Sequence, residues 1–171
     1  DQSHKLTVHH FIGEENMAKN FYLDNPDLMF HLEKKFNYHI LFDLLSPQDK
    51  ETLSATSAEE YKQLLLSMIE TFGEICANEI ATNAELVDRQ PLRLEAGEVI
   101  FPSAVTENMK VLKQYGISAA GVSPKHGGLG APYLLEMASC EILNRACPST
   151  MLNCAWYGGV ARIITDYSTD E

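Results

Sequence analysis

Nothing in the sequence is apolar for long enough to cross a bilayer. No apolar run approaches the ~20 residues a membrane helix needs. The opening DQSHKLTVHHF also lacks the layout of a signal peptide. Basic residues are scarce: 13 lysines and arginines stand against 24 aspartates and glutamates, for a net charge of −11. A surface of that sign repels phosphate backbones and anionic lipid, so nucleic acid and membrane surfaces are disfavoured as partners. No C-x-x-C pair occurs among the four cysteines, Cys76, Cys140, Cys147 and Cys154. They read as small buried hydrophobes of a reducing compartment, and the expected location is the cytoplasm. Adjacent His9 and His10 cannot share a helix face and His126 stands alone, so no metal site is expected. Internal repeats, low-complexity tracts and alternating strand patterns are absent as well.

What is present suits a folded domain. Hydrophobic residues make up 45% and charged residues 22% of the 171 positions. A chain of this length can bury roughly 70% of its unfolded surface. Residues 1–56 read as an extension of short helical pieces, and 57–171 as the main helical domain. In the extension, Asn25-Pro26 and Ser46-Pro47 each place a capping side chain before a proline at the first helical position. Leu28, Phe30, Leu32 and Phe36 form a roughly periodic apolar face. Ile40, Leu41, Phe42, Leu44 and Leu45 require a partner surface, expected on the helices that follow.

The strongest element starts at Ser57, where Ser57-Ala58-Glu59-Glu60 fits the capping box. Tyr61, Leu64, Leu65, Met68, Ile69, Phe72, Ile75, Cys76 and Ile80 then recur at steps of three and four, which predicts one helix to about Glu85. Residues 88–102 read as a connecting loop. A helix over about 104–115 follows, with Ser103 as its cap and Gly116 as a left-handed stop. Pro132 opens a helix to about Arg145, and Pro148 opens a last one to about Asp166. The predicted fold class is all-α, a helical bundle. Trp156 and Tyr157 are expected to be packing residues. The closing Ser168-Thr169-Asp170-Glu171 is another S-x-x-E, the mark of a helix about to start, and the sequence does not begin with Met. Both features suggest a portion of a longer protein.

Between the last long helices lies Pro124-Lys125-His126-Gly127-Gly128-Leu129-Gly130, with three glycines in four positions. The lysine precedes the glycines, so a phosphate-binding G-x-x-x-x-G-K-[ST] is absent, and so is a G-x-G-x-x-G following a strand. On physical grounds alone this is a tight structural loop.

A helix, then YGI…SPKHGGLGAP, then LLEMASCEILNRACPS, then a helix ending in DYSTDE resembles the N-terminal domain of the acyl-CoA dehydrogenase family. The resemblance is good over about 101–171 and weaker over 57–100. Glu141, in Ser139-Cys140-Glu141-Ile142, stands where the family has a Ser-Glu-Glu segment. Residues 1–56 resemble the N-terminal extension of some longer bacterial members. The resemblance implies a three-part, FAD-dependent enzyme of which this chain is the first part, followed by a middle β-domain and a C-terminal helical bundle. Members oxidise the Cα–Cβ bond of an acyl-CoA thioester and pass electrons to a partner such as an electron-transfer flavoprotein, commonly as homo-oligomers. Developing enolate charge is stabilised by hydrogen bonds to the thioester oxygen. The catalytic base and most flavin contacts are expected beyond residue 171, so this chain carries no assigned catalytic residue and is expected to be inert alone, without tight FAD binding. Its acidic charge fits poorly with coenzyme A unless basic residues elsewhere make that contact. For the acyl pocket, the resemblance points to Met151, Ala155 and Gly159, spaced i, i+4, i+8 on one helix; the small residues hint at a longer or bulkier acyl group. Against this, Gly158-Gly159 can equally serve close helix packing and Met151 core filling. A stand-alone helical interaction module and a related flavin oxidase on the same scaffold remain as alternatives. A domain parted from its neighbours should expose an unusually large apolar patch.

Overall fold

A computed structural model describes residues 20–123, 126–154 and 156–169. His9, His10, Pro124, Lys125, Ala155, Asp170 and Glu171 lie outside the described residues. Helices dominate the described residues, whose strands form one two-stranded hairpin.

The extension is built from α1 (Pro26–Phe30), a wide turn (His31–Lys35), α2 (Tyr38–Asp43) and α3 (Pro47–Thr52). Both caps form as the sequence indicates: Asn25 Oδ1 accepts from the Leu28 N–H at 3.1 Å and Ser46 Oγ from the Asp49 N–H at 3.1 Å. Of the expected apolar face, Leu28 and Leu32 are buried while Phe30 and Phe36 stay exposed. Leu41, Phe42 and Leu45 pack on the core, whereas Ile40 and Leu44 face outward. The partner surface is α4 (Ala58–Ile75), as the apolar count required. Gly73 of α4 permits this docking. A side chain there would meet Tyr22 N at 2.7 Å, and the Phe21 N–H donates to the Gly73 carbonyl at 3.1 Å.

Helix α4 carries the core. Tyr61, Leu65, Ile69, Phe72, Ile75, Cys76 and Ile80 are all buried along one face. The helix does not stop near Glu85. It widens over Cys76–Ile80, tightens over Ala81–Asn83 and continues as α5 (Ala84–Arg89). At its start Ser57 Oγ accepts from the Glu60 N–H at 3.2 Å, one half of a capping box. The other half shifts by one residue, since Glu60 Oε2 accepts from Thr56 N at 2.8 Å and Thr56 Oγ1 at 2.6 Å. The Thr56 hydroxyl and N–H hold the Glu60 carboxyl below the ordinary 4.5. A carboxyl depressed in the folded state stabilises above its unfolded pKa and loses that contribution as pH falls through its folded one. Acid titration below pH 4.5 should therefore weaken this helix start. Urea midpoints followed against pH should fall less steeply in Glu60→Gln than in the parent.

Residues 88–102 are not a simple loop. Strands β1 (Arg93–Glu95) and β2 (Glu98–Ile100) pair antiparallel, with Leu94 opposite Val99. Ala96 and Gly97, with φ of 52° and 87°, make the two-residue turn whose twist matches a hairpin. Helix α6 (Ser103–Gln114) begins one residue early, so Ser103 sits inside it and does not cap. Gly116 stops it in the left-handed conformation, φ 70°. Helices α7 (Tyr133–Ala146) and α8 (Pro148–Cys154) then pack on α4 and α6. The expected single last helix is broken: after Cys154 the chain turns at Trp156 and α9 (Tyr157–Tyr167) sets off anew.

Two buried polar features stand out. Asn108 of α6, fully buried, donates to Thr150 Oγ1 at 2.9 Å and accepts from Asn83 Nδ2 at 2.8 Å. Thr150 Oγ1 in turn donates to Cys147 Sγ at 3.1 Å. The Tyr61 hydroxyl, by contrast, is buried with no hydrogen-bond partner among the described residues. Removing a buried hydroxyl that makes no bond should be neutral, or stabilise by up to about 1 kcal/mol. Tyr61→Phe should accordingly unfold at the same urea concentration or a higher one.

Candidate functional site: an apolar cleft between the long helices

The glycine-rich segment is a hydrogen-bonded bend that returns the chain beside itself. The Gly130 N–H donates to the Val122 carbonyl at 2.8 Å, and the Ala131 N–H to the Ala120 carbonyl at 2.8 Å. At Gly128 a β-carbon would collide with the Val122 carbonyl oxygen and lie 2.6 Å from the Ala119 oxygen, so only glycine lets the strands of this bend approach. The bend thereby fixes Ile117, Ala120 and Gly121 opposite α7.

Between this bend, α4 and α7 runs an apolar cleft with two lobes. The narrow inner lobe, about 60 Å³, has a floor of Phe72, Leu112, Leu135 and Leu143. Glu136, Cys140, Cys154 and Gly158 close its far side. The wider outer lobe, about 240 Å³, is edged by Met68, Thr71, Ile75, Tyr115 and Leu129. Phe72, Ile117, Ala120, Leu135 and Ser139 line both lobes. Helical spacing explains the shared wall, since Leu135 and Ser139 are four apart on α7.

The thiols at the inner end are weakly acidic. Burial raises the Cys154 thiol to about 11, with Cys140 nearby adding to the shift. Burial, then the Glu136 charge, raises Cys140, and burial raises Cys76 further still. Such thiols stay protonated near neutrality and pack as small hydrophobes. All four cysteines are free; Cys76 and Cys147 are buried, Cys140 and Cys154 half-buried. Among the described residues no three His, Cys, Asp or Glu side chains converge on a metal-sized site, and no helix is long and apolar enough to cross a membrane.

The sequence-based pocket residues fall on two helices because of the break at Trp156. Met151, on α8, is half-buried against the core. Gly159, on α9, is exposed, with open space where a side chain would sit. The α8 and α9 residues lining the cleft are Cys154 and Gly158. Close packing at the glycine pair is real at Gly158, whose missing side chain leaves room for the Glu136 carboxylate. Glu136 itself was missed, because a lone glutamate on a helix reads as a solvated face. Glu141 lies exposed on α7 and accepts from Asn25 Nδ2 at 3.0 Å, a tie to the extension.

Trp156 and Tyr157 are not core residues of this chain. Trp156 is 71% exposed, and Leu152, Val160, Ile163, Ile164 and Tyr167 are open beside it along α8 and α9. Together they form an exposed apolar stripe along α8 and α9.

The family described as acyl-CoA dehydrogenase, N-terminal domain, matches residues 62–171. Among characterised proteins, the 3-methylmercaptopropionyl-CoA dehydrogenase of Ruegeria pomeroyi is 31% identical over 78 residues. That alignment covers 46% of this chain and only 13% of the relative's length. No solved structure matches the chain at a significant level.

Proposed function

The chain belongs to the acyl-CoA dehydrogenase family, and from that premise we propose that its cleft forms one wall of the acyl pocket of a flavin-dependent enzyme. The reaction proposed for the complete protein is oxidation of the Cα–Cβ bond of an acyl-CoA thioester, with electrons passed on to a partner such as an electron-transfer flavoprotein. The observation that carries this reading is the two-lobed apolar cleft beside the glycine bend, within the residues the family matches. A thioether-bearing acyl group, as in the name of the Ruegeria relative, is within the range of substrates such a cleft would accept.

The chemistry of the described residues sets limits on their role. The inner lobe is only about 60 Å³ and, among the described residues, its one charged group is a carboxylate, which would repel a diphosphate. These residues do not by themselves fit FAD, and no step of the reaction is assigned to them. FAD and the base that removes the α-proton belong, in this proposal, to further segments of the complete protein. What this chain supplies is a dry wall. Each methylene moved from water onto Phe72, Leu135 and Ile117 gains about 0.8 kcal/mol, and exclusion of water strengthens the polar contacts made at the thioester. The exposed stripe of α8 and α9 would be covered by those further segments.

Photo-crosslinking of the complete protein tests the reading. An acyl-CoA carrying a diazirine near the chain end should label Leu135, Ser139 or Cys154 in the cleft. Labelling confined to Met151, Ala155 and Gly159 would place the pocket at those residues instead of in this cleft. Labelling outside both sets would overturn the reading.

A further inference from the structure

The inner end of the cleft is not uniformly apolar. Among the described residues Glu136 is the only charged one in its lining. Its side chain is 17% exposed, its Oε2 lies 3.8 Å from Arg162 Nη2, and its Oε1 faces the space beside Gly158. No hydrogen bond to Oε1 is present among the described residues. The Arg162 guanidinium also rests over the Tyr133 ring, 5.6 Å from its centre. Glycines at 121 and 158 flank the carboxylate, and a side chain at 158 would displace it. This carboxylate lines an apolar cleft with one oxygen 3.8 Å from a cation and the other packed against Gly158, and among the described residues neither oxygen accepts a hydrogen bond.

We propose that Glu136 is a specificity-determining residue: it favours acyl groups whose far end donates a hydrogen bond, a terminal hydroxyl, over chains of equal length ending in methyl or carboxylate. The inference rests on the acyl-pocket reading above and names the substrate class for that pocket. A terminal hydroxyl would donate to Oε1 and restore what the carboxylate gives up when water leaves. A methyl end desolvates the carboxylate and returns nothing, which is costly for a charged group. A carboxylate end places like charges together, and the cation beside Glu136 among the described residues, Arg162, already faces that carboxylate. Sites that hydrogen-bond a substrate hydroxyl discriminate far more sharply against its absence than apolar pockets discriminate by size.

The test compares kcat/KM of the complete protein for hydroxyl-, methyl- and carboxylate-ended acyl-CoA thioesters of one chain length, in the parent, Glu136→Met and Arg162→Gln, with the thermal midpoint of each protein. The parent should favour the hydroxyl-ended substrate over the methyl-ended one by about tenfold or more. Glu136→Met should reverse that order, and Arg162→Gln should keep it. If both variants merely lower the thermal midpoint and leave the order of the three substrates unchanged, Glu136 is only an anchor for α9 and the proposal fails while the acyl-pocket reading stands. If the parent turns over none of the three, nor any other acyl-CoA, both fail together.

Discussion

Gly128→Ala should destabilise the fold by about 3 kcal/mol or more, the cost of forcing an atom into a packed site that cannot yield. The obstructing atoms are main chain: the carbonyl groups of Val122 and Ala119. Those groups are also fixed by their own bonds, Val122 accepting from the Gly130 N–H and Ala119 from the Val122 N–H at 3.0 Å. Relief requires opening the bend, which would release Ile117 and Ala120 from the cleft wall. Gly127→Ala is the informative contrast. Gly127 has φ 83° but open space around a β-carbon, so its variant carries only the left-handed penalty of about 1–2 kcal/mol. Urea unfolding of the two variants should therefore separate them clearly, with Gly128→Ala much the weaker. Equal midpoints would mean that the close approach at Gly128 is not a feature of the folded protein.

The second large effect is expected at Asn108. Replacing it with leucine keeps the volume but takes from the Thr150 hydroxyl oxygen its donor and from the Asn83 amide one of its two acceptors, leaving the bonds to Cys147 Sγ and the Glu79 carbonyl. A buried donor or acceptor left without a partner costs about 1–3 kcal/mol, so the loss should reach about 2–4 kcal/mol. Asn108→Leu combined with Thr150→Val should then cost less than the two single variants added together, because the second substitution removes an acceptor already without its donor. Simple additivity would dissolve the network into independent contacts.

These two sites differ in how far the sequence discloses them. The glycine cluster is visible as a string, and its reading as a tight loop needs only the absence of phosphate-binding spacing. Which glycine is indispensable is invisible, since the colliding carbonyls lie six and nine positions away and approach only through folding. The Asn108 relay leaves no local trace: its partners stand 25 and 42 residues distant, and an asparagine on an otherwise amphipathic helix reads as a solvated residue. Helix α4 was legible because burial repeats at 3.6 residues over its five turns, which no other element matches. The hairpin at 93–100 escaped because six strand residues offer too little alternation, although Ala96-Gly97 carried the turn. The break at Trp156 escaped for another reason. Pro148 announces a helix, but nothing before Gly158 announces an end, and the described α8 and α9 residues that line the cleft are Cys154 and Gly158. The exposed Trp156 marks the same point. Its apolar side chain predicts burial, and the surface that would bury it is not part of this chain's own core.

Membership in the acyl-CoA dehydrogenase family makes one measurement of the proposed flavin chemistry more direct than any other: the intact mass and visible spectrum of the complete native protein, before and after anaerobic addition of acyl-CoA. A species much heavier than this chain, with flavin absorption bands that bleach on mixing, is the predicted result. A colourless protein, or a flavin spectrum that no acyl-CoA alters, would contradict the assignment of the cleft to an acyl-CoA dehydrogenase.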